Sequence, residues 1–332
     1  MKAPPYTGRV RRLQMGNSSV TTAALPWISS EDVFSLVGTL EASRAIQRQL
    51  RDGLDPAEDF SRSVLEVPRG QLLIMPSNSA DFFGIKVASV APGNPALGRE
   101  RIQGVYLLMD SETLSPTALI DGTALTTLRT PAVSAAAADL LAPDEVEHLM
   151  LFGTGPQAWG HIEAMRAIRS IGRVTIVARN PERAAEFAAR VSASGIPATV
   201  GTADDVSDAQ LIVCATTARE PLFDGSLVPV DSCTVAVGSH EPDARELDST
   251  IVRRAQLVVE DTVTALREAG DAIIPIGTGE LDAAALVPLR DIVAGTVAVD
   301  QSRPRVFKST GMAWEDLAVA SEVFRAWSSR GN

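Results

Sequence analysis

The chain has 332 residues, 45% of them hydrophobic, which is enough for a large buried core and by length suggests two domains. Acidic residues outnumber basic ones, 41 to 30. The resulting formal net charge of −11 disfavours nucleic acid and anionic membrane surfaces as partners. Cys214 and Cys233 lie in apolar runs without metal-ligand spacing, so neither a disulfide framework nor a metal centre is predicted, and a cytoplasmic location fits.

The N-terminus, MKAPPYTGRVRRLQMGNSSV, carries basic residues with no apolar segment behind them. It does not read as a secretory signal, and its first 20 or so residues are expected to be poorly ordered. No run approaches the roughly 18 apolar residues that a membrane helix needs. From Ser29 to Gly53 the spacing of Val33, Val37, Leu40 and Ala45 predicts a helix, with Ser30 as N-cap. Five short runs follow, punctuated by Gly and Pro: SRSVLEVP, QLLIMPS, FGIKVASVAP, GVYLLMD and TALIDG. They predict a five-stranded meander. An Ala-rich helix starts at Leu125, with Pro131 expected to bend or restart it.

After Pro143 strand and helix alternate. Strands are predicted at His148–Phe152, Val174–Ala178, Ala198–Val200, Leu211–Ala215, Thr234–Val237 and Leu257–Val259, with helices such as Gln157–Ser170 and Pro181–Ser194 between them. Near-continuous apolar strands in this alternation imply a parallel sheet covered on both faces. A short strand, RVFKS, and a helix from Ala313 to Trp327 end the chain.

Gly153-Thr154-Gly155-Pro156-Gln157-Ala158 falls between the first of these strands and its helix, in the G-x-G-x-x-G/A form of a dinucleotide site. Gly153 permits the tight turn, Gly155 a close approach of backbone to pyrophosphate, and Ala158 close helix–sheet packing. Pro156 suits the first helical position, and the helix N-terminus offers free N–H groups to phosphate. The second strand ends in Ala178-Arg179-Asn180 with no acid for a ribose 2′-hydroxyl. A guanidinium at Arg179 matches a 2′-phosphate, so NADP(H) is expected to be preferred over NAD(H), which stays possible.

The stretches FGIKVASVAPGN, DGTALTTLRTPAVSA, LFGTGPQAWGHIEA, VAVGSHEPDARELD and VFKSTGMAWEDLAVA, taken in order, resemble the ornithine cyclodeaminase/mu-crystallin family. The resemblance implies an α/β fold in which a Rossmann-type parallel-sheet domain is inserted into a mixed α+β substrate-binding and dimerisation domain. The boundaries would be 131–304 for the former and 1–130 plus 305–332 for the latter. It implies a homodimer acting on a small amino or imino acid.

By the same resemblance, Arg62, Lys86 and Arg129 converge on the substrate carboxylate, Arg as a bidentate fork and Lys as a point charge. Thr216, Thr217, Val237, Gly238 and Ser309 are implied as further cofactor contacts. Ornithine cyclodeaminases carry Asp at the position of His240, so its replacement argues against that lyase. His240 itself, or Lys86, is a candidate proton carrier. His148 and His161 read as structural. The expected activity is NADPH-dependent reduction of an imine carboxylate, such as pyrroline-2-carboxylate or piperideine-2-carboxylate, to the cyclic amino acid. Alternatives are an alanine- or opine-type dehydrogenase, the cyclodeaminase, and a non-catalytic ligand-binding protein.

Overall fold

The computed structural model describes residues 24–330; the N-terminal stretch expected to be poorly ordered lies almost wholly outside that range. Strand β1 (Trp27–Ile28) leads into helices α1 (Ser30–Leu36) and α2 (Thr39–Arg51). The N-cap of α1 is Ser29, not Ser30. The Ser29 hydroxyl accepts from the Asp32 N–H at 3.2 Å, and Asp32 Oδ2 accepts from the Ser29 N–H at 3.0 Å. The single helix expected from Ser29 to Gly53 is two, because Val37 turns extended and Gly38 caps α2.

The meander follows as β2 (Ser63–Val67), β3 (Gly70–Asn78), β4 (Phe82–Val90), β5 (Ile102–Asp110) and β6 (Pro116–Asp121). Neighbouring strands are antiparallel in chain order. β1, absent from the sequence reading, pairs in parallel with β6 to complete a six-stranded sheet. Helix α3 (Gly122–Leu141) starts ahead of Leu125 because Asp121 caps it, accepting from Thr123 N at 3.0 Å and Ala124 N at 2.9 Å. Pro131 sits inside α3 without ending it. Its ring packs where a Cβ on Gly160 would approach to 3.0 Å, so the small residue is what lets the next helix lie against it.

The second sheet begins with β7 (Val146–Phe152), α4 (Pro156–Ile168), β8 (Ile171–Val177), α5 (Pro181–Ala193) and β9 (Ala198–Val200). It continues with β10 (Leu211–Cys214), β11 (Cys233–Ala236), α6 (Ser249–Arg254), β12 (Gln256–Val259), α7 (Thr262–Glu268) and α8 (Gly270–Gly277). The chain closes with β13 (Val287–Pro288), α9 (Leu289–Val293), β14 (Arg305–Lys308) and α10 (Ala313–Arg330). All eight strands are parallel, in the order β13-β12-β14-β11-β10-β7-β8-β9. The fold is therefore α/β, a Rossmann-type parallel sheet beside a mixed sheet. Strand order reverses between β7 and β10, and such a reversal opens a ligand crevice at the carboxyl ends of the strands.

Two of the expected boundaries do not match the elements. The 130/131 division falls inside the continuous helix α3. Residues 305–308, expected with the first unit, form β14 between β12 and β11 of the second sheet. Only α10 returns to the first sheet, packing on β3 and β4. The turn between β14 and α10 thus brings Ser309–Ala313 to the seam where both sheets meet. Among the described residues no helix is long and apolar enough to cross a membrane.

Candidate active site

At the strand-order reversal, Gly153 adopts φ +114°, and a Cβ there would lie 2.4 Å from the Ala215 carbonyl oxygen, so only glycine fits. Gly155 caps α4, with Pro156 at the first position and nothing within 4 Å of where its Cβ would stand. Ala158 is fully buried against the sheet. Gln157 Oε1 at the same helix end is buried without a partner. An open glycine at a helix N-terminus, free N–H groups and an orphaned side-chain oxygen together fit a dinucleotide phosphate. Arg179, just past β8, is exposed and makes no ion pair among the described residues. Asn180 is engaged as the N-cap of α5, accepting from Arg183 N at 2.9 Å.

The far wall of the crevice is held by Glu246, which the sequence reading did not single out. Its carboxylate accepts from Thr216 N (2.9 Å), Thr216 Oγ1 (2.7 Å) and Gly238 N (2.7 Å). Burial pushes its pKa up to about 7 against the pull of Lys308. A Cβ on Gly238 would meet the Thr216 carbonyl oxygen at 1.9 Å, so this wall is closed at backbone contact. Asp271 accepts from the Glu246 and Leu247 N–H groups at 2.8 Å each. It also faces Lys308 Nζ at 3.2 Å, and that lysine donates to Ser239 O at 2.5 Å. Thr217 is exposed and Val237 half-buried beside this wall.

The expected substrate cations gather around the β14–α10 turn. Lys86 projects from β4 and is only 2% exposed. Its Nζ donates to Asp316 Oδ2 at 2.7 Å and Thr126 Oγ1 at 3.3 Å. Burial lowers its pKa to about 8; Asp316 resists that fall. Arg129, 8% exposed, donates from Nη1 to Glu315 Oε2 at 2.8 Å and faces Asp316 Oδ1 at 3.5 Å. Burial opposes its charge, but Asp316, Glu315 and Glu260 outweigh that and raise its pKa. Its guanidinium packs against Gly311, where a Cβ would lie 2.7 Å from Nη1.

Arg62 pairs with Glu268 at the end of α7 and reaches the Thr310 carbonyl at 3.4 Å. It lines a pocket together with Met75, Thr264 and Gly311. Each of the three cations is therefore already met by one of the protein's own carboxylates.

Glu260, just past β12, organises the turn itself. It accepts from Ser309 Oγ (2.5 Å), Thr310 N (2.8 Å), Thr310 Oγ1 (2.8 Å) and Gly311 N (3.0 Å). Burial and then Glu260 drive the Glu315 pKa well above the carboxylate range. Hydrogen bonding from Glu315, Ser309 and Thr310 overcomes burial to lower that of Glu260. Glu315 is accordingly the partner that keeps the proton, and its side chain is hydrogen-bonded to that of Glu260.

His240 stands exposed on the loop after β11. Desolvation by the surrounding protein, then Arg62 and Lys308, holds its pKa below that of a free imidazole. His161 is fully buried on α4 between Ser134 Oγ (2.8 Å) and the Gln157 carbonyl (2.7 Å). His148 is buried between Asp208 and Thr175, each at 2.8 Å. Of the crevice residues above, among the described residues His161 meets only the Gln157 carbonyl and His148 meets none. No group of acidic, His and Cys side chains suited to a metal occurs among the described residues.

The whole arrangement matches one family. The family model for "Ornithine cyclodeaminase/mu-crystallin family" matches residues 29–331. The chain belongs to that family.

Among its curated relatives, a Delta(1)-pyrroline-2-carboxylate reductase of Bacillus cereus is 36% identical over 268 residues, covering 78% of this chain and 82% of the relative. The ketimine reductase mu-crystallin of Mus musculus is 33% identical over 300 residues, covering 89% and 92%. The solved Delta(1)-pyrroline-2-carboxylate reductase of Thermococcus litoralis, in complex with NADH and L-proline, superposes with a TM-score of 0.85 at 30% identity, covering 92% of this chain and 98% of that one. This family member is an NAD(P)-dependent oxidoreductase acting on C–N bonds, of the imine reductase and amino-acid dehydrogenase kind.

Glu246, Glu260, Glu268, Glu315 and Asp316 were all missed by sequence reasoning. Glu315-Asp316 did carry a signal: two acids opening an otherwise apolar helix, WEDLAVA. Read alone, they pass as ordinary first-turn acids facing the helix dipole.

Proposed function

We propose that this protein reduces a cyclic imine carboxylate, such as pyrroline-2-carboxylate or piperideine-2-carboxylate, with NADPH as the preferred donor. The observation that carries this reading is the pair of buried cations, Lys86 and Arg129, beside the Ser309–Gly311 turn that ends a strand of the dinucleotide sheet. Fixed cations at that point suit a small carboxylate held next to the nicotinamide, and the names of the relatives above agree. Arg62, at the mouth, would complete the clamp. His240 supports reduction over cyclising deamination: its depressed pKa leaves it neutral at pH 7, unable to draw in a substrate ammonium as a carboxylate does.

In this reading Gly153, Gly155, Pro156, Gln157 and Ala158 hold the pyrophosphate at α4, and the wall fixed by Glu246 bounds the crevice. The bound cofactor supplies hydride. The chain's own residues orient the imine through its carboxylate, exclude water from the buried end of the site and manage one proton. Arg179 favours NADPH: it is exposed, makes no ion pair among the described residues and stands just past the end of β8 without an acid beside it. The Thermococcus litoralis structure carries NADH, so this preference rests on Arg179 in this chain alone.

A further part of the reading is a division into two units that share α3, with β14 in the dinucleotide unit and α10 in the other. Homodimerisation through the mixed sheet is supported by Val64, Leu65 and Val67 of β2, which stay 45–48% exposed.

The test is loss of 340 nm absorbance with NADPH and with NADH across a panel of cyclic imine carboxylates. Pyruvate with amines runs alongside, and ornithine with NAD is assayed for ammonia. No oxidation of either cofactor by any cyclic imine sinks the reading.

A further inference from the structure

We propose that Asp316 is a positioning residue for the reaction: it keeps Lys86 Nζ protonated and oriented, and Lys86 delivers that proton to the imine nitrogen. The inference rests on the imine-reductase reading. It goes beyond it by assigning the proton to one of two candidates and by naming the side chain that sustains it.

The geometry is specific. Lys86 lies in the middle of β4, opposite Met75 of β3 and Tyr106 of β5. α10 covers this face of the sheet, and its first turn brings Asp316, itself fully buried, to 2.7 Å from Nζ. Thr126 of α3 takes a second Nζ proton at 3.3 Å while its own hydroxyl donates to Gly122 O, which fixes it as an acceptor toward Lys86. An ammonium has three protons. Two are directed into the protein, and the third is left for a ligand. The other charged or titratable groups around Lys86 are Arg129 from α3, Glu315 from α10 and Tyr106 from β5. Arg129 is a like charge that favours the free amine, and Glu315 favours the ammonium only when ionised. Tyr106 stays a neutral phenol, its pKa raised well above the usual value by burial. Asp316 is thus the principal support for the charge on Lys86.

His240 is a poorer donor on the same grounds. It is exposed, no carboxylate is hydrogen-bonded to it among the described residues, and Arg62 and Lys308 disfavour its protonated form.

The step balances simply. A Nζ–H bond of Lys86 breaks as the N–H bond of the iminium forms. The imine carbon then takes hydride from the reduced cofactor, which is oxidised as the substrate is reduced. Lys86 is left as a neutral amine and regains its proton from solvent between turnovers.

The chain contains three lysines, Lys2, Lys86 and Lys308, so lysine labelled with 13C at Cε gives three NMR signals and the Lys86 titration can be read without turnover. In the wild-type protein its midpoint should fall near pH 8 and coincide with the basic limb of log kcat/KM for pyrroline-2-carboxylate reduction. Asp316→Asn should lower the midpoint by roughly one to three pH units, and the basic limb should move with it. Asp316→Glu should restore both toward the wild-type values. Thr126→Val, which leaves the ion pair intact, should produce a smaller shift in the same direction and serves if Asp316→Asn does not fold. A wild-type basic limb that differs from the Lys86 midpoint overturns the proposal. So does a variant whose rate falls at every pH while its limb stays in place. If no imine is reduced at all, the functional reading fails instead, and the NMR titration still decides whether Asp316 sustains the charge on Lys86.

Discussion

Glu268→Gln removes the carboxylate that occupies Arg62 and should tighten substrate binding. Glu268 lies at the end of α7, after β12 of the parallel sheet, whereas Arg62 belongs to the segment leading into β2 of the mixed sheet. Their side chains are 17% and 13% exposed, so the pair is neither sealed nor freely solvated. Arg267 also donates to Glu268 Oε1 at 2.7 Å, which spreads the carboxylate's charge over two guanidiniums. With that screening the pair is worth about 1 kcal/mol at most. A substrate carboxylate that takes Glu268's place must offset this. Removing the competitor should lower KM by about five-fold and leave kcat within about two-fold, since Glu268 meets no reacting atom. Initial rates followed at 340 nm, with the imine carboxylate varied at saturating NADPH, measure both constants. A KM that rises in Glu268→Gln would mean that Glu268 orients Arg62 for the substrate rather than competing with it, and the reasoning would fail.

Arg179→Ala should raise KM for NADPH by roughly 10- to 100-fold, the worth of a charge-assisted contact to phosphate, and leave NADH within about two-fold. An equal effect on both cofactors removes the case for NADPH. His161 supplies a pH-dependent stability that can be read by urea unfolding at a series of pH values. Burial pushes its pKa down to about 4 from an ordinary 6.5, so the folded state refuses a proton that the unfolded chain accepts. That contribution is fully present above pH 6.5 and is lost as pH falls toward 4, by roughly 3 kcal/mol over the window. His161→Gln should flatten this acid fall, and an unchanged slope would show that another group causes it.

Much of the fold was legible because its signals are local. The β7–α4 glycine turn follows from Gly153 and Gly155, whose conformational demands are written in their residue type. The meander was legible from its alternation. What was not legible depends on partners distant in sequence. β1 is two residues long and exists only because β6 offers it an edge. Glu246 reads as a charged residue in a loop, yet it clamps Thr216 and Gly238 across the crevice. Asp316 lies 230 residues from Lys86 in sequence, and only the packing of α10 on the mixed sheet brings them together. The resemblance supplied the cations because they stand in recognisable blocks; it did not supply the carboxylates that face them.

Those carboxylates decide which cation is available to a substrate. In the buried cluster, Lys86 and Arg129 carry two positive charges and Asp316 and Glu260 two negative ones, while Glu315 holds its proton. An imine carboxylate entering this balanced cluster would add one uncompensated negative charge in a poorly hydrated place, which is costly. Asp316 and Glu260 cannot turn away, being 0% and 1% exposed. Glu268 can, because it sits at the mouth with part of its side chain in solvent. Its release frees Arg62 and adds the one positive charge that the substrate's carboxylate needs. The proton passed from Lys86 to the imine nitrogen then moves charge within the site without altering its sum, so recruitment of Arg62 and protonation of the imine are separable steps. Glu268→Gln should therefore change KM and spare the basic limb of the pH profile, whereas Asp316→Asn should move the limb. A variant pair that altered both quantities together would show that the two steps are one.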